Sequence, residues 1–108
     1  MERLYIGVRS DLPPGLQMAQ ACHALREFTA AHPALDAAWH AGANNLVVLW
    51  LRNEAELEEY ARRLAAASVP LAEFREPDLG GEKTALAFAG AGKPLVRKLP
   101  LAFPHLDH

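Results

Sequence analysis

Residues 45–52, "NLVVLWLR", place Leu46 to Leu51 as an unbroken apolar run between two stretches that read as helix. A run this short and continuous reads as a β-strand. Because it does not alternate with polar residues, it predicts a strand covered on both faces, the central strand of a sheet with helices above and below. That condition excludes an all-helical bundle and a sheet with one wet face. It requires other strands on either side of this one and helices long enough to cover them.

The neighbouring segments meet the requirement. Residues 3–9, "RLYIGVR", are rich in β-formers and read as a first strand. "SDLPPG" is a turn, since proline fixes φ and aspartate favours turns. A helix follows over about residues 14–31, with Pro14 in its first turn, where a missing N–H costs nothing. His32-Pro33 ends it, and residues 34–42 form a short helix closed by Gly42. After the 45–52 strand, "NEAELEEYARRLAAAS" is a second long helix. Asn53 caps it, with Glu56 completing a variant capping box. Leu57, Ala61, Leu64 and Ala65 form its apolar stripe, and Glu58 and Arg62 are spaced for an i,i+4 pair. "VPLAEFRE" is a short strand, with Pro70 near its start or on an edge. "PDLGGEK" is a loop, and "TALAFAG" from Thr84 is a fourth strand. Residues 91–103 form a connector with a possible short helix.

The order β-α-(α)-β-α-β-β predicts one α/β domain over residues 1–103, a mixed four-stranded sheet with helices on both faces, and a frayed tail over 104–108. A chain of 108 residues, half of them apolar, is long enough for one core. Its net charge of −2 disfavours a broad, non-specific nucleic-acid surface, which is normally basic. Cys22 is alone, so no intrachain disulfide is expected. His105 and His108 lie in the tail, no histidine pair has metal-ligand spacing, and neither a metal nor a cofactor is expected. No transmembrane span or leader is visible, so a soluble, cytoplasmic protein with no membrane contact is expected.

The first long helix carries the most chemistry. At 100° per residue, Met18, Ala21, Cys22, Leu25 and Phe28 fall on one side and predict the core face. Leu16, Gln20, His23 and Glu27 fall on the other. That polar stripe begins just after the first strand, where ligands of open α/β sheets bind. A thiol nucleophile is not expected, because Cys22 points to the predicted core.

The stretch "RSDLPPGLQMAQACHA" resembles the type-2 peptidyl-tRNA hydrolase family. Arg9, Asp11 and Leu12 match that family's segment after the first strand. Ala19, Gln20, His23 and Ala24 match its helix motif. Trp39, the "NNLVVL" strand, "TALAF" and "LVRKLPL" follow in the family's element order, so the resemblance spans nearly the whole chain. It implies hydrolysis of the ester between a peptide, or an amino acid, and the 3′ ribose of tRNA, and a homodimer. Two departures are visible. Leu16 stands where the family carries a turn lysine. "REPDLGGEKT" replaces the family's Asp-Ala-Gly-x-Thr loop, with Asp78 as its nearest acidic candidate.

Ester hydrolysis needs an activated water, donors for the oxyanion and a grip on the RNA. An imidazole titrates near neutrality, so His23 is a candidate general base. Asp78 and Asp11 are candidates to orient it or to take the proton. Gln20 and the backbone N–H groups at the helix start are candidate donors, and Thr84 offers a hydroxyl. Arg9, Arg75 and Lys83 are the candidate phosphate contacts, expected near the helix start. The plain alternatives are turn residues for the aspartates and solvated charges for the basic side chains. At the level of function the alternatives are an inactive fold relative that binds RNA, a nucleotide or a protein, and a small-molecule enzyme on the same scaffold.

Overall fold

The computed structural model describes residues 3–42 and 44–104. The elements run β1 (Arg3–Arg9), α1 (Pro14–Ala31), α2 (Pro33–Ala41), β2 (Asn45–Leu51), α3 (Glu54–Ala66), β3 (Leu71–Glu76) and β4 (Glu82–Ala89). Short 3-10 turns occupy Pro77–Leu79 and Gly90–Val96. The tail residues 105–108, with His105 and His108, lie outside the described residues. The sheet order is β2-β1-β4-β3, with β1 and β2 parallel and β4 antiparallel to both of its neighbours. This is the mixed four-stranded sheet expected from the element order.

Alternation along the strands divides the interior into two cores. Leu4, Ile6, Val8, Ala85 and Ala87 meet Ala24 and Phe28 of α1 on one face. Tyr5, Leu49, Leu51, Leu86 and Phe88 meet Leu57 and Leu64 of α3 on the other. Each large side chain fully buried this way contributes about 1.5–3 kcal/mol. Gly7 leaves room for this packing, since a Cβ there would lie 2.8 Å from Leu51 Cδ1 and push that side chain aside.

Three expectations are corrected. The apolar 45–52 run is not central, because β2 is an edge strand. Its outer edge is covered by the chain's own C-terminal segment: Trp50 N–H donates to Pro100 O at 2.9 Å and Ala102 N–H to Val48 O at 2.9 Å. That cover gives an edge strand an interior composition. The inward face of α1 is also turned by one residue. Gln17, Gln20, Ala24 and Phe28 are buried, while Met18 is 65% exposed and Cys22 is exposed. Apolar periodicity selected the flanking stripe because two glutamines, not two aliphatic residues, face inward in the first turns. Finally, the i,i+4 pair on α3 is Glu59 with Arg63 at 2.9 Å, and Glu58 faces Lys83 at 4.0 Å. Asn53 caps α3 as expected, its Oδ1 accepting the Glu56 N–H at 2.9 Å.

Candidate functional site

The carboxyl ends of β1 and β3, the start of β4 and the first turns of α1 meet at one end of the sheet. Pro13 and Pro14 open α1, and the Gln17 N–H already bonds Pro13 O at 2.9 Å. Gln17 fastens the turn from inside. Its amide nitrogen donates to Leu12 O at 2.7 Å, and its amide oxygen accepts the Trp50 indole N–H at 2.7 Å.

Gln20 lies one turn later and is 1% exposed. Its Nε2 donates to Glu76 Oε1 at 2.8 Å, and its Oε1 accepts the Thr84 hydroxyl. The carboxylate can only accept, so the amide nitrogen must face Glu76 and the hydroxyl must donate. Thr84, Gln20 and Glu76 therefore form a directed chain from the interior to the surface.

A bulge makes this chain possible. Phe74 pairs with Ala85 but Arg75 pairs with Lys83, so Thr84 is the unmatched residue. In regular alternation Thr84 would share the α3 face with Leu86 and Phe88. The extra residue turns it to the α1 face, as bulges beside sites commonly do. On β3, Phe74 and Glu76 share that face by the two-residue period. The β3–β4 connection closes through Gly80 and Gly81, both at positive φ, a conformation that glycine adopts without strain.

Glu76 also accepts the Asp78 backbone N–H at 3.2 Å. The Gln20 amide, then the Asp78 N–H, hold its carboxyl below the usual glutamate range, and His23 adds to the effect. The exposed His23 ring lies flat on Phe74, with centroids 4.4 Å apart and planes 15° from parallel. Gln20, Thr84 and His23 are thus brought together, as the sequence suggests, although Gln20 faces inward rather than outward. Asp78 enters through its backbone. Among the described residues, its carboxylate takes no hydrogen bond.

Asp11 belongs to a second arrangement. Arg9, 7% exposed, donates to both Asp11 oxygens at 2.9 and 2.8 Å, to Glu82 Oε1 at 2.7 Å and to Lys83 O at 3.2 Å. The hydrogen bonds from Arg9 keep the Asp11 carboxyl below the usual aspartate range, and Asp11 in turn holds the guanidinium firmly protonated. Lys83 Nζ lies 2.8 Å from Glu73 and 4.0 Å from Glu58, while its own backbone N–H donates to Glu54 at 2.8 Å. Arg75 is exposed and donates to Gly81 O at 3.2 Å. The three candidate phosphate contacts lie at this end of the sheet, but Arg9 and Lys83 are held by carboxylates. Among the described residues, no group of three His, Cys, Asp or Glu side chains is gathered to hold a metal ion. No helix among them is long and apolar enough to cross a membrane.

Sequence reasoning missed Glu76 and Gln17. The spacing Gln17, Gln20, Ala24, Phe28 is a helix face, visible once glutamine is allowed inside. Glu76 is found by counting two residues from Phe74 along β3.

The fold and this cluster define an α/β domain with an amide-positioned carboxylate at the carboxyl end of its third strand. The chain belongs to the peptidyl-tRNA hydrolase PTH2 family, whose model matches residues 3–103. No curated protein matches the chain. The family implies a tRNA substrate and a peptidyl-tRNA hydrolase-like function.

Proposed function

We propose that this chain hydrolyses the ester joining a peptide, or an amino acid, to the 3′ ribose of tRNA, and that Glu76 activates the water. The observation that carries this reading is the Thr84–Gln20–Glu76 chain, which holds an ionised carboxylate in fixed orientation at the surface. Water bound to Glu76 gives up a proton to it while its oxygen adds to the ester carbonyl. The tetrahedral intermediate then collapses, the ester C–O bond breaks, and the departing 3′ oxygen takes the proton back. Peptide and free tRNA leave. The backbone N–H groups of Gly15 and Leu16, in the first turn of α1, are the proposed oxyanion donors, because helix starts leave such groups unpaired.

Leu16 replaces a charged donor, and a carboxylate held below its usual range is a weaker base than one near neutrality. Both point to slow turnover. Asp11 shapes the turn through Arg9 in this reading and takes no proton. We also propose a soluble cytoplasmic homodimer, for which exposed Leu35, Leu46 and Leu101 supply apolar surface. Light scattering that gives a monomer mass at high concentration removes that assembly.

The deciding experiment is peptide release from a blocked aminoacyl-tRNA by the wild-type chain and by Glu76→Gln. Release by wild type and its loss in the variant are expected. Equal release by both removes Glu76 from the mechanism. If wild type releases nothing, the chain is a binding relative of the family.

A further inference from the structure

We propose that His23, laid on Phe74, is a stacking platform for the terminal nucleobase of the RNA rather than the general base. The inference rests on the proposed tRNA site but not on hydrolysis occurring there. Its first support is geometric. The imidazole is 15° from parallel to the phenyl ring at 4.4 Å, so one of its faces is already covered. The residue is nonetheless exposed. Phe74 packs against the α1-side core, so the lower ring is fixed by the fold and holds the upper one flat. A flat ring backed by a second ring suits another flat ring, and base–aromatic stacking tolerates any base.

The second support is placement. Glu76 lies two residues beyond Phe74 on the same face of β3, about 7 Å along the strand. A nucleoside whose 3′ oxygen must reach Glu76 carries its base one sugar width away. Phe74, the lower ring of the platform, is set back along β3 by about that much. Glu76 can also accept from a ribose hydroxyl or an exocyclic amine. The third support is the shortage of free charge: of the three candidate phosphate contacts, Arg9 and Lys83 are tied to carboxylates and, among the described residues, exposed Arg75 alone has no carboxylate partner, so stacking supplies grip that ion pairs do not.

The test compares wild type, His23→Ala and His23→Phe in peptide release and in calorimetric titration with the trinucleotide CCA. His23 is exposed, so both variants are expected to fold. His23→Ala should raise KM and weaken trinucleotide binding by about tenfold, the scale of losing one stacked base. His23→Phe should restore both and keep the wild-type shape of the kcat–pH profile. A general base gives the opposite pattern, with kcat lost in both variants and KM unmoved, and that result overturns the proposal. If wild type proves inactive on tRNA esters, trinucleotide binding that falls in His23→Ala and returns in His23→Phe still supports the platform. A wild-type chain that does not bind the trinucleotide overturns it.

Discussion

The two faces of the sheet treat charge differently at the same end of the molecule. On the α3 face Lys83 meets Glu73 and Glu58, and its backbone meets Glu54. The lysine there has opposite charges as its side-chain partners. On the α1 face Glu76 is held by a neutral amide and a backbone N–H. A carboxylate bound to a cation has its charge compensated and its lone pairs occupied. One held by neutral donors keeps its full charge and the capacity to accept another proton. The difference separates a structural tie from a reactive group, although residue types alone would mark both regions as charged clusters.

The largest expected effect breaks the comparison at its reactive side. Glu76→Gln should lower peptide release by about 100-fold or more, the usual weight of a general base. Asp78→Asn should leave the rate near wild type, and an equal loss in Asp78→Asn would return the role to the loop aspartate. The pH profile sharpens the same point. Because Glu76 is held below the usual glutamate range, it stays ionised as pH falls and the acid limb of the rate should lie below the range of an ordinary glutamate. An acid limb near neutrality would assign the base to His23.

Next in size is the link behind Glu76. Thr84→Val removes the hydroxyl that donates to the buried Gln20 oxygen, leaving that oxygen without its partner. A stability loss of about 1–3 kcal/mol is expected in urea unfolding. Thr84→Ser should recover most of it, and a Val variant as stable as wild type would show that the chain is not maintained.

On the ion-paired side, Lys83→Met should cost about 1.5 kcal/mol of stability, as for a lost hydrogen bond to a charged group. It should leave the salt dependence of tRNA binding unchanged. A phosphate contact would instead reduce the slope by about 0.9. The smallest effect belongs to the exposed helix pair. Arg63→Ala removes its partner for Glu59 and should change stability by no more than about 0.5 kcal/mol.

Much of the fold was legible. The alternation of strand and helix segments, the proline-opened first helix, the Asn53 cap and the four strands follow from local patterns that act within a few residues. The site was half legible. Gln20, His23 and Thr84 stand out by residue type and by resemblance, and they do converge. Glu76 did not stand out, because a glutamate at the end of an amphipathic strand looks like ordinary solvated charge.

Local sequence determined which segments of this chain are helix and which are strand, because capping, turn chemistry and hydrophobic period act over short stretches. It also determined that two helices must cover one sheet. Only the tertiary structure decided that β2 sits at an edge, since its cover comes from residues 100–102, some fifty positions away in the chain. Only it decided that Gln17 and Gln20 face inward, because their partners Trp50, Thr84 and Glu76 lie on other strands. The bulge that turns Thr84 toward them is a matter of register between two strands. A buried polar group is admitted by the partners it finds, and those partners exist only after the strands have paired.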